Sequence, residues 1–158
     1  MIFVTVGSHQ DFDRLIRGVD AWAAARGRTD VFAQIGPSAY VPQHIAYTQQ
    51  LSPAEFEARM RSASAVVAHA GIGTIFTAME YEKPLLVMPR RADLQETRND
   101  HQLATAERLP RFINAIIVVD ERDLPAALDR VEAHRAQTEF HAEDYQRLVT
   151  AIADFING

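Results

Sequence analysis

The run Ala65-Val66-Val67-Ala68 is short, apolar and β-branched enough to read as a buried strand, and it leads directly into His69-Ala70-Gly71-Ile72-Gly73-Thr74. A helical pattern then opens at Thr74 or Ile75 and continues to about Tyr81. Two glycines let the backbone turn tightly and leave amides uncovered. A strand, a glycine turn and a helix start together aim free N–H groups and the positive end of a helix dipole at one point, where an anion such as a phosphate belongs. The turn is not the dinucleotide fingerprint, because Gly71-Ile72-Gly73-Thr74-Ile75-Phe76 lacks the third glycine. Nor is it a P-loop, because no Gly-Lys-Ser/Thr follows.

The rest of the chain repeats the same alternation. Ile2 to Val6 reads as a central parallel strand, followed by the loop Gly7-Ser8-His9-Gln10. Asp11 or Asp13 is positioned to cap a helix carrying Leu15, Ile16, Val19 and Trp22 on one face and ending near Gly27. Val31 to Ile35 and Ile45 to Thr48 read as two further strands. Ser52-Pro53-Ala54-Glu55 is a capping box with proline at the first helical position, and its helix runs to about Ser62. Lys83-Pro84-Leu85-Leu86-Val87-Met88-Pro89 gives a buried strand between two prolines. It is followed by a polar loop and by Asn99-Asp100-His101-Gln102 at a helix mouth. Phe112 to Val119 contains a sixth strand, and Asp123 to about His134 a helix. The last helix, about 142–156, places Tyr145, Leu148, Val149, Ile152, Phe155 and Ile156 on one stripe. Strands alternating with helices at these lengths predict one α/β domain over 1–158, a parallel sheet of about six strands covered on both faces. Ligands of such sheets bind beyond the carboxyl ends of the strands, where Gly7–Gln10, Gly71–Thr74 and Pro89–Gln102 all fall.

Composition narrows the function classes. A net charge of −5 and the lack of a basic patch with interleaved aromatics argue against nucleic-acid binding. With no cysteine among 158 residues there is neither a disulfide framework nor thiol chemistry, which fits a cytoplasmic protein. Met1 to Gly7 lacks a basic leader and reads as a first strand, not a signal peptide. No stretch approaches the roughly 20 apolar residues that span a bilayer, so membrane attachment is expected only through a partner or a surface contact.

Taken in order and spacing, HAGIGT (69–74), KPLLVMP (83–89) and NDHQLATA (99–106) resemble the C-terminal domain of family-28 glycosyltransferases. The whole chain resembles the short stand-alone form of that domain, from Met1 to about Leu109 and more loosely beyond. Stand-alone members include the catalytic subunit of the two-part N-acetylglucosaminyltransferase of lipid-linked oligosaccharide synthesis and small subunits of bacterial exopolysaccharide glycosyltransferases. The resemblance implies a Rossmann-like fold, the C-terminal half of a GT-B enzyme, binding the donor nucleotide sugar, a UDP-sugar. It also implies an inverting hexosyltransferase that needs no bound metal or other cofactor. Full-length members hold the acceptor site and base largely in an N-terminal domain. The chain is therefore expected to act with a membrane-anchored partner that presents a polyprenyl-linked acceptor, at the inner face of the membrane. The last helix is a candidate docking element, with packing on its own sheet as the simpler explanation.

The donor-binding residues implied are Gly7, Ser8, Gln10, His69, Gly71, Gly73, Thr74, Thr77, Asp100, His101 and Gln102. Several have a plainer explanation, with Gly7, Ser8 and Gln10 as an ordinary polar loop. Gly71 and Gly73 could be turn glycines, Thr74 a helix cap, and Asn99 with Gln102 a capping box. His69 could be a packed strand-end histidine, and Arg90-Arg91 reads by default as a solvated pair. His9 and His69 are the candidates for a catalytic role, and no metal-ligand spacing accompanies His69. Two departures from the family pattern stand out. Thr77 occupies a position that is often acidic and holds ribose hydroxyls, with Glu80 one turn further on. Glu82 replaces the usual glycine before Lys-Pro and leaves the helix without its preferred C′ residue. Two rival functions remain open: a non-catalytic nucleotide-binding or regulatory protein, and a small hydrolase using His69 or His101, for which no Gly-x-Ser-x-Gly elbow is present.

Overall fold

A computed structural model of the chain describes residues 1–134 and the backbone of 142–157, with the side chains of 142 and 155–157 outside the description. Phe155 and Ile156 of the expected stripe therefore lie outside the described side chains. The strands are β1 (Ile2–Thr5), β2 (Val31–Gln34), β3 (Ala46–Thr48), β4 (Ala65–His69), β5 (Leu85–Met88) and β6 (Ile116–Ile117). The α-helices are α1 (Asp13–Arg26), α2 (Pro53–Ser62), α3 (Ile72–Glu80), α4 (His101–Arg108), α5 (Leu124–Arg130) and α6 (Ala142–Asn157). All pairings are parallel, and the spatial order is β3-β2-β1-β4-β5-β6. From β1 the chain builds outward to β3, then returns to lay β4 on the other side of β1. The β1–β4 boundary is thus the topological switch point of the sheet.

Alternation along the central strands divides the core. Ile2 and Val4 point to the face covered by α1 and α5, with Leu15, Ile16, Leu124 and Leu128. Phe3 and Val66 point to the other face, with Met60, Ile75, Met79, Leu109, Leu148 and Ile152. Leu148 and Ile152 seat α6 on the sheet's own second face, beside α4.

Local chemistry explains most boundaries and corrects several expected ones. The Ser52 box forms as expected, with Glu55 N–H donating to Ser52 Oγ and Ser52 N–H to the Glu55 carboxylate. Neither Asp11 nor Asp13 caps α1. Phe12 holds the cap position with its ring buried in the core, and Asp13 instead accepts from Ser38 Oγ at 2.7 Å. Gly27 ends α1 at φ 63°, where its N–H and that of Arg28 bond back to Ala24 and Ala23. The C-terminal end of α3 forms the same motif without glycine: Glu82 sits at φ 53°, its N–H bonding Met79 O while Lys83 N–H bonds Ala78 O. The sixth strand lies within Phe112–Val119 as expected, at Ile116–Ile117, because Phe112 and Ile113 still belong to the turn closed on Leu109. The helix expected from Asp123 to His134 is α-helical only from Leu124 to Arg130, with 3-10 turns before and after.

Candidate functional site

The switch point is built from three segments: the loop after β1, the turn after β4 and the segment after β5. At the β4 end, α3 begins at Ile72, earlier than Thr74 or Ile75, and the cap is Gly71 in extended conformation. The early start buries part of Ile72 against the second core cluster. Thr74 therefore lies inside the first turn and is not the cap. No side chain caps this end, so the amides of Ile72, Gly73 and Thr74 have no intrahelical acceptor. Gly73 is exposed, and a Cβ built on it would meet nothing within 4 Å. Gly71 is different, because its Cβ would fall 2.3 Å from His69 Cε1. The Thr77 hydroxyl donates to Gly73 O at 3.0 Å, one turn back along the helix.

The opposite wall is a polar knot around Arg90. The arginine follows Pro89 at the end of β5 and is only 2% exposed, so the expected solvated pair is corrected for this residue. Its Nη2 donates to Val6 O at 2.8 Å and Gln10 O at 2.9 Å, and Nε donates to Asp11 O at 3.1 Å. These carbonyls belong to the β1 loop, which Gly7 turns at φ 78°. Guanidinium donors are the chemistry such a loop lacks, since its carbonyls have no ladder to join. Nη1 lies 3.0 Å from His69 Nδ1, and the guanidinium stands over the Phe12 ring. Burial pulls the Arg90 pKa down, with Asp11 and Glu96 opposing it. Burial first, and the Arg90 charge second, hold His69 down at about 4, so its ring is neutral at pH 7. Arg91 does face outward, paired with Asp93 at 2.6 Å.

Gln102 joins the two walls. Its Oε1 accepts from Ala70 N–H at 3.3 Å and from Arg90 N–H at 3.1 Å, tying the ends of β4 and β5 together. The expected Asn99–Gln102 capping box does not form, because these strand-end amides take the Gln102 side chain. Asn99 Oδ1 accepts from His101 N–H, and Asp100 Oδ1 from Ala92 N–H. A second arginine braces the post-β5 segment. Arg14 grips Glu96 through two 2.9 Å bonds and also donates to Pro89 O and Val119 O.

Gly7, Ser8, His9, Gln10, His69, Arg90 and Gln102 line a cavity of about 250 Å³. Of the expected site residues, the structure thus gathers the β1 loop, His69 and Gln102, with Gly71 against the His69 ring. Gly73, Thr74 and Thr77 lie along the open start of α3. Asp100 and His101 are exposed at the head of α4 and do not line the cavity. Sequence reasoning singled out Arg90 but missed its buried role as the donor that holds the β1 loop. The available signal was an arginine directly after a buried strand, facing a glycine-turned loop. A larger cavity of about 620 Å³ lies between α1 and residues 94–96, but Arg14, Glu96 and Glu121 on its walls are already paired to one another. Among the described residues no group of three His, Asp or Glu converges as a metal site. No helix among them is long and apolar enough to cross a membrane.

The family model for the glycosyltransferase family 28 C-terminal domain matches residues 1–154. The chain belongs to this family. The family-28 domain described here shares its fold with the solution structure of ALG13, at TM-score 0.66 and 17% identity over 93% of each chain. It also overlays the kitacinnamycin glycotransferase (TM-score 0.61, 19% identity), covering 99% of this chain and 39% of that one. A third neighbour is the UDP-GlcNAc 2-epimerase of Methanocaldococcus jannaschii, solved with UDP-GlcNAc and UDP (TM-score 0.59, 13% identity). The domain covers 45% of that chain, so it spans under half the length of the last two neighbours. No curated protein sequence matches it.

Proposed function

We propose that this chain is the donor-binding catalytic subunit of a bipartite inverting glycosyltransferase that uses a UDP-sugar. The observation that carries the reading is the uncapped start of α3 at the sheet's switch point, facing the β1 loop across His69. An acceptor hydroxyl attacks the anomeric carbon, the bond from that carbon to the diphosphate oxygen breaks, and configuration inverts. Negative charge then grows on the departing UDP, where the amides of Ile72, Gly73 and Thr74 and the helix dipole stabilise it without help from a bound metal. Ser8 and Gln10 approach the diphosphate from the β1 loop. Gln102 shapes the pocket by joining β4 to β5, and Asp100 and His101 reach the sugar from the head of α4. Thr77 stands where the family often places an acid for the ribose.

The acceptor half of the reaction belongs to a membrane-anchored partner presenting a polyprenyl-linked acceptor, in exopolysaccharide or lipid-linked glycan synthesis. The family supports this part of the reading, and recruitment by the partner would place the subunit at the inner face of the membrane. A second reading, a non-catalytic nucleotide-binding protein of the same fold, is favoured by one observation. The Thr77 hydroxyl is bonded to its own helix and lacks the bidentate reach of a carboxylate.

Calorimetric titration with UDP, ADP and GDP tests the donor reading. Selective UDP binding, weakened in Gly73→Val, is the expected result, and absence of UDP binding both alone and with the partner membrane fraction would defeat it. Sugar transfer that appears only with that fraction separates the enzyme from the non-catalytic alternative.

A further inference from the structure

His69 is well placed to be mistaken for a general base, because it sits at the end of the central strand β4 and lines the site cavity. Its hydrogen-bond surroundings decide otherwise. Gln102 Oε1 accepts from two backbone amides, Ala70 and Arg90, which fixes the orientation of the side-chain amide. Its NH₂ group must then be the end that faces His69 Nδ1, at 3.4 Å. Arg90 Nη1 faces the same ring nitrogen at 3.0 Å, and a guanidinium has only donors to offer. Two donors converge on one nitrogen, so Nδ1 can only accept.

We infer that Arg90 is a positioning residue, with Gln102 as its second: together they lock His69 as the neutral Nε2–H tautomer, a fixed hydrogen-bond donor and not a base. Nε2 lies in the slot between Gly7 and Gly71, where a Cβ on either glycine would come within 3.3 or 2.7 Å of it. Neither glycine can carry a side chain without pushing the ring aside. The same guanidinium holds the carbonyls of Val6, Gln10 and Asp11, so one side chain sets both the loop and the tautomer. The charged and titratable groups around the ring are Arg90, with Asp11 and Glu96 beyond it, and His9 across the cavity. The low His69 pKa of about 4 agrees with a ring held between donors.

The consequence for catalysis rests on the donor-site reading above: the proton of the attacking hydroxyl must go to a group other than His69, and an anionic ligand oxygen is what Nε2–H can serve. Long-range proton–nitrogen NMR of the His69 ring in the unsubstituted protein reads the tautomer directly and needs no variant. A single Nε2–H form, unchanged from about pH 8 to pH 5, is expected, since that range lies above the ring's depressed pKa. A proton on Nδ1, or a ring that charges near its ordinary value, would overturn the inference. Arg90→Met and Gln102→Leu should each admit the second tautomer or raise the titration of His69, and should weaken UDP binding roughly tenfold. A folded Arg90→Met protein with the ring signature of the unsubstituted protein would remove the positioning role. Should UDP fail to bind while the tautomer is locked, the donor-site reading falls and the assignment to Arg90 stands.

Discussion

The two walls of the switch-point crevice solve opposite problems. On the β1–β5 side the buried polar side chains are paired within the protein: four donors of Arg90 reach three carbonyls and a ring nitrogen, and Gln102 ties two strand ends. On the α3 side, three amides at a helix start face a space that Gly73 leaves open. The first wall is rigid before any ligand arrives. The second carries helix-start donors with no intrahelical acceptor, which is where the proposed function places the donor diphosphate. Pre-organised donors aimed where charge develops stabilise a transition state without reorganisation, and under the proposed function the knot would be the fixed frame that keeps them aimed.

Breaking the knot should be the most damaging change. Arg90→Met leaves the carbonyls of Val6, Gln10 and Asp11 without their donor, and a loss of about 3–5 kcal/mol in chemical denaturation is expected. Acid should attack the same wall. The His69 pKa falls from 6.5 in the unfolded chain to about 4 when folded. Its contribution is therefore complete above 6.5, declines as pH falls between those values, and is gone below about 4, roughly 3 kcal/mol in all. The stability difference between the unsubstituted protein and His69→Gln, followed from pH 7 to pH 4, checks the sign: it should shrink as pH falls.

The two glycines sharpen the contrast next. Gly71→Ala drives a methyl into the His69 ring and should cost about 2 kcal/mol. Gly73→Ala meets nothing and sits in the first turn of a helix, so thermal denaturation should show it unharmed or stabilised by about 0.5–1 kcal/mol, while UDP affinity drops. Equal destabilisation by both would erase the distinction between a packed wall and an open one. The far end of the same helix serves as a control. Glu82→Gly relieves a left-handed residue and should raise stability by about 1 kcal/mol with no change in nucleotide binding.

Much of this was legible before any coordinates. Short β-branched runs separated by helix-length segments announce a parallel sheet, and the Ser52 box marks its helix to the residue. The strand-to-helix turn was legible as well, but the reason for its glycines was not: Gly71 is extended at φ −88° and Gly73 is helical, so neither needs glycine for its backbone. The role of Arg90 was not, since its partners lie about eighty residues earlier in the chain and are backbone carbonyls, which carry no sequence signature. Gln102 misled for a related reason: the spacing from Asn99 fits a local capping box, but two strand-end amides outbid it. Gly71 looked like a turn glycine, and only the nearby His69 ring explains why no side chain fits there.

Following backbone amide resonances of the protein during addition of UDP is the most direct test of the crevice. The largest saturable shifts should fall on Ile72, Gly73 and Thr74, with smaller ones on Gly7 and Ser8, and should vanish in Gly73→Val. Saturable shifts centred instead on the α1 cavity around Arg14 and Arg17, leaving the α3 start unmoved, would contradict the assignment of the donor site.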